Sequence, residues 1–130
     1  MEEGLRQLVR SRAAQRCEYC RLEQQQVPFA FFHIDHIVPR KHGGGDGPDN
    51  LALACYHCNL HKGPNLTGID PDRGEITPLF NPRTEEWERH FALRGTLVIG
   101  LTPIGRATVR VLAMNAPDRM QLRAEIQGDV

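Results

Sequence analysis

Two Cys-x-x-Cys knuckles constrain this 130-residue chain more than any other feature. Cys17-Glu18-Tyr19-Cys20 and Cys55-Tyr56-His57-Cys58 stand on either side of residues 21–54. Each knuckle presents two thiolates to one ion, and a pair of knuckles is the usual framework of a closed, tetrahedral zinc site. A fold obeying this must bring residues 17–20 back against 55–58, so the intervening segment has to turn and return. A hairpin does this. Four sulfurs leave no open position on the ion, so Cys17, Cys20, Cys55 and Cys58 are expected to hold a structural Zn²⁺ that contributes folding energy.

The intervening segment reads as that hairpin. Residues 28–38 carry Phe29, Phe31, Phe32, Ile34, Ile37 and Val38, a β-favouring run ended by Pro39. The three phenylalanines are assigned to the core. Gly43-Gly44-Gly45-Asp46-Gly47-Pro48 forms a flexible tip, and Leu51–Ala54 is the returning strand. A short helix starts within 55–59 and is stopped by Gly63-Pro64.

Charge distribution adds a second signal. Sixteen basic residues balance sixteen acidic ones, so no net field announces a nucleic-acid partner, but five of the six histidines fall within residues 27–70. Asp35 and His36 end the first strand; Asn59, His61 and Lys62 ride the helix after the second knuckle. A carboxylate and an amide oxygen are hard ligands suited to Mg²⁺ or Mn²⁺. An adjacent imidazole is the side chain best able to take a proton from water near neutrality. Zinc hydrolases and deaminases need an open zinc with a catalytic Glu close by; no His-x-Glu or His-Glu-x-x-His stretch occurs.

Asp35-His36-Ile37-Val38-Pro39, then Asn50-Leu51-x-Leu53, then Cys55-x-x-Cys58-Asn59-x-x-Lys62 resembles the HNH nuclease family, in its zinc-bearing branch. The likeness covers about residues 12–66. It implies an α+β protein with a ββα-metal core stapled by the four-cysteine zinc site. It also implies a metal-dependent DNA endonuclease, by default a nickase because a single site cuts one strand per event. By the same resemblance, His36 is the general base, and Asn50 holds the His36 ring by a hydrogen bond. Asp35 and Asn59 ligate the catalytic Mg²⁺ or Mn²⁺, with Asn59 standing where the family often has His. His61, Lys62 and Arg40 are candidates to touch the substrate phosphate. The rival reading is a catalytically silent, zinc-stapled nucleic-acid-binding module, which loss of Asp35, His36 or Asn59 would have marked.

Outside the core, residues 3–16 read as an amphipathic helix with Leu5, Leu8, Val9 and Ala13 on one face. Residues 65–83 read as mostly loop with a short extended piece near Ile76, 84–93 as a helix and 97–100 as a strand. Thr102-Pro103 starts a helix reaching about Met114, and a last helix covers 117–127. We expect one domain over 1–130, with a mixed α/β extension from about residue 67 that carries no recognisable chemistry. The N-terminus lacks a secretory pattern, and no apolar run nears the roughly 20 residues that span a bilayer. The expectation is therefore a cytoplasmic protein with reduced thiols, off the membrane, monomeric or weakly dimeric, acting on double-stranded DNA.

Overall fold

The computed structural model describes residues 1–128. Its elements in chain order are α1 (Glu3–Arg12), β1 (His33–His36), β2 (Leu51–Ala54), α2 (Tyr56–Lys62), β3 (Thr67–Ile69) and β4 (Ile76–Pro78). There follow α3 (Trp87–His90), β5 (Phe91–Arg94), β6 (Leu97–Gly100), α4 (Pro103–Val111) and α5 (Pro117–Gln127). The class is α+β, with three separate two-stranded antiparallel sheets.

The expected hairpin is β1–β2, with His33 opposite Ala54, Asp35 opposite Ala52 and His36 opposite Leu51. All four residues of β2 are buried. The first strand is shorter than residues 28–38 because β2 offers only four partners. Upstream of it, Gln24 closes residues 27–32 into a loop: its Nε2 donates to the Val27 and Ala30 carbonyls, and its Oε1 accepts from the Phe32 amide at 2.8 Å. The backbone groups a sheet would satisfy are thus partly satisfied locally. Only Phe32 of the three phenylalanines is in the core; Phe31 is 83% and Phe29 99% exposed, which corrects their assignment.

α1 ends at Arg12, earlier than expected, because Ala14 and Gln15 adopt left-handed φ of 54° and 58°. Val9 is buried, while Leu8 stays half exposed. Arg10 and Arg12 reach the hairpin: Arg10 donates to the Phe32 carbonyl, and Arg12 to those of Pro48 and Leu51. α2 begins on Cys55, whose sulfur accepts from the Cys58 amide, and stops at Gly63, as its sequence requires.

Beyond residue 66 the outcome is mixed. The extended piece expected near Ile76 is β4, which pairs with β3 inside the expected loop over 65–83, and the expected helix over 84–93 is a single turn that passes straight into β5. Gly95, with φ of 60°, and Thr96 make the two-residue loop that joins β5 to β6, and this tight turn takes Phe91–Arg94 into a strand. α4 starts as expected, with Pro103 in its first turn and Thr102 Oγ1 accepting from the Gly105 amide at 3.0 Å. α5 covers Pro117–Gln127.

One apolar cluster joins the two halves. Val9, Tyr19, Phe32 and Leu51–Ala54 pack with Phe80, Phe91, Val98, Leu112 and Met114, and three of the four knuckle cysteines are buried inside it. No helix among the described residues is long and apolar enough to cross a membrane.

Candidate metal centres and catalytic cleft

The four cysteine sulfurs lie within 4.8 Å of one another, and Cys20 Sγ is 3.8 Å from Cys55 Sγ. A tetrahedron with zinc–sulfur bonds of about 2.3 Å has edges of about 3.8 Å, so the cluster has the dimensions of a four-thiolate zinc site. Four thiols this close cannot all ionise by themselves. Hydrogen bonds from the thiols of Cys17, Cys20 and Cys58 pull the Cys55 thiol far below its ordinary range, while contact with the neighbouring sulfurs pushes Cys20 and Cys58 up. A divalent cation at the centre would remove that conflict, and the cluster is compatible with the structural zinc expected of the knuckles.

The first knuckle also supports a second group of residues. Tyr19, between Cys17 and Cys20, is fully buried and donates its hydroxyl to Asp35 Oδ2 at 2.7 Å. Asp35 sits on β1, 6% exposed. Lys62, at the end of α2 and 2% exposed, places Nζ 3.2 Å from Asp35 Oδ2 and 3.0 Å from the His36 carbonyl. Burial pushes the Asp35 carboxyl above its usual range; the charge of Lys62 and the hydrogen bond from Tyr19 oppose that rise. Burial, then the adjacent Asp35, pushes the Tyr19 phenol well up. Lys62 therefore faces inward and secures Asp35. The exposed phosphate-contacting position expected for it is not where its amine lies.

His36 points the other way, into the open. Its Nε2 is 2.7 Å from Asp46 Oδ1, and Arg40 donates to the same oxygen at 2.9 Å. A carboxylate only accepts, so this contact places a proton on Nε2, and in the neutral ring Nδ1 then carries the lone pair. Hydrogen bonds from His36, then Arg40, hold the Asp46 carboxyl below its usual range. Asp46 was missed in the sequence. Its signal was an acidic residue inside a glycine loop whose neighbours bring no side chains.

Asn50 does not hold the His36 ring. Its Oδ1 accepts from the Val38 amide, and its Nδ2 donates to the Val38 and Gly45 carbonyls, so both ends of the amide are spent on the glycine loop. It fixes the loop that carries Asp46, and so reaches His36 at one remove. Asn59, on α2, is half buried with no side-chain hydrogen bond to another described residue, and its amide is free to act as a ligand.

Asp35, His36, Asn59 and Arg40 line one open cleft of about 540 Å³. His61 is absent from it: its ring lies 4.2 Å from that of His57, whose Nε2 donates to the Ala113 carbonyl at 2.9 Å. His33 sits one strand position from Ile34, with its ring 6.0 Å from Tyr56.

No curated protein and no solved structure matches the chain. Residues 17–65, from the first knuckle to the turn after α2, match the family model described as HNH endonuclease.

Proposed function

We propose that the protein is a metal-dependent DNA endonuclease that nicks one strand per event, with His36 as general base. The observation that carries this reading is the convergence of His36, Asp35, Asn59 and Arg40 on one open cleft within the segment that matches the HNH model.

His36 Nδ1 takes a proton from the attacking water, while Nε2–H stays on Asp46, which keeps the ring in the working tautomer. The water oxygen bonds to phosphorus, the bond from phosphorus to the 3′ oxygen breaks, and the departing oxygen takes a proton from solvent. The products are a 5′ phosphate and a 3′ hydroxyl. Asp35 and Asn59 supply a donor set of oxygens only, which fits Mg²⁺ or Mn²⁺ and disfavours a softer ion. Asp35 and Asn59 would hold such an ion, which would supply neutralisation of the charge developing on the scissile phosphate and the leaving oxygen. Lys62 and Tyr19 hold the Asp35 carboxylate in one orientation. Arg40, at the rim, is 65% exposed and able to meet a backbone phosphate.

The test is incubation of supercoiled double-stranded plasmid, and of forked DNA, with wild type and His36→Ala, in Mg²⁺, Mn²⁺ or EDTA. Open circles should form with wild type and added metal only. Plasmid and forked DNA both left intact under every metal condition sinks the nuclease reading, and nicking that survives His36→Ala sinks the base assignment.

A further inference from the structure

Phe29 and Phe31 are the most exposed large apolar residues of the described chain, at 99% and 83%. Single exposed apolar side chains are ordinary. These two share a loop that Gln24 holds shut with three hydrogen bonds, so their projection is built into the backbone.

The surroundings of Phe31 are specific. It lines a hollow with Arg6, Arg10, His33 and Ile34, and Arg6 and Ile34 also line the cleft of Asp35 and His36. The two hollows are neighbours that share Met1, Arg6 and Ile34 in their walls. Neither Arg6 nor Arg10 forms an ion pair among the described residues, although most other arginines do. Past His33, the ring of Tyr56 is 58% exposed and stands one helical turn before Asn59. Exposed rings therefore stand near two guanidinium groups that lack a carboxylate partner among the described residues, Arg10 donating only to the Phe32 carbonyl.

We infer that this surface is a binding track for unpaired nucleotides flanking the scissile phosphate, with bases stacking on Phe31 and Phe29 and phosphates meeting Arg6 and Arg10. The inference rests on the nuclease reading above and names its substrate class: DNA with a single-stranded end, flap or fork beside the cut. Within intact duplex the base faces are already stacked on one another and the rings have nothing to receive. Single strands offer open π-faces and a regularly charged backbone, which is the chemistry this surface complements.

The experiment is fluorescence anisotropy of the full chain without added divalent ion, against labelled single-stranded, forked and blunt duplex oligonucleotides. Wild type should prefer the first two. Phe29→Ala/Phe31→Ala should lose about tenfold or more on those probes and little on blunt duplex, while Phe31→Trp keeps the preference. A double variant that binds single-stranded and forked probes as wild type does, or that loses affinity for all three equally, overturns the inference. Both rings are exposed, so unchanged thermal melts are expected. Nicking assays on the same proteins separate the two readings. Tight Phe31-dependent binding with no cleavage of any probe overturns the nuclease alone. Cleavage indifferent to both rings overturns the track alone.

Discussion

Tyr19 and Asp35 meet across 2.7 Å inside the core, so a residue held between two zinc-knuckle cysteines orients the carboxylate proposed to hold the catalytic ion. Tyr19→Phe keeps the ring and deletes the donor. It should cost about 1.5–3 kcal/mol, the usual loss for a hydrogen bond to a charged group, and lower nicking by about tenfold to a hundredfold. Thermal melts and plasmid assays read the two effects; full activity would leave Asp35 indifferent to its partner.

Lys62→Met should be worse for the fold. Both members of the Lys62–Asp35 pair are buried, and removing one leaves the other charge without compensation, a loss of about 3–5 kcal/mol. Denaturant unfolding should show it. A variant as stable as wild type would mean that Asp35 is neutral in the folded protein.

Zinc analysis of purified protein should give about one ion per chain, and Cys58→Ser should lose it together with cooperative melting. Cys58 is buried in the first turn of α2, so its loss opens the frame that positions Asp35. A metal-free protein that melts normally would remove zinc from the account.

Asp46→Ala should lower nicking by about tenfold to a hundredfold without changing the melt, because Asp46 is half exposed and its carboxylate bonds only the His36 ring and the exposed Arg40. Wild-type rates in Asp46→Ala would show that the ring needs no orienting partner.

The glycine loop gives a paired comparison. A Cβ at Gly44 would fall 1.6 Å from the Val38 carbonyl oxygen and 2.9 Å from Asn50 Nδ2, whereas one at Gly45 meets nothing within 4 Å. Gly44→Ala should break the Asn50 clamp, destabilise by about 1–3 kcal/mol and impair nicking; Gly45→Ala should do neither. Equal behaviour of the two variants would show that the clamp is dispensable.

What was legible in the sequence was what is encoded locally. Knuckle spacing, the Gly63-Pro64 stop and the Thr102-Pro103 start each act within a few residues, and the hairpin, α2 and α4 follow from them. Cys17, Cys20, Cys55 and Cys58 come together, as do Asp35, His36, Asn59 and Arg40. The failures are pairings across distance. Phe29 and Phe31 look like strand residues until the length of β2 is known. Phe91 looks helical until Gly95 turns it onto β6. Lys62 looks like a surface cation because nothing nearby in the chain announces Asp35 as its partner.

The C-terminal half grips the knuckles from outside. Trp87 Nε1 donates to the Tyr19 carbonyl at 2.7 Å, Arg83 pairs with Glu18, and His57 bonds the Ala113 carbonyl. Glu18 passes the contact on, since its other oxygen accepts from the Leu53 amide at 2.8 Å. The segment that matches the HNH model is therefore not a portable cassette. Grafted elsewhere without residues 67–128, it would carry its ligands but lack the clamp that sets their spacing, and a protein engineer would have to move the whole chain.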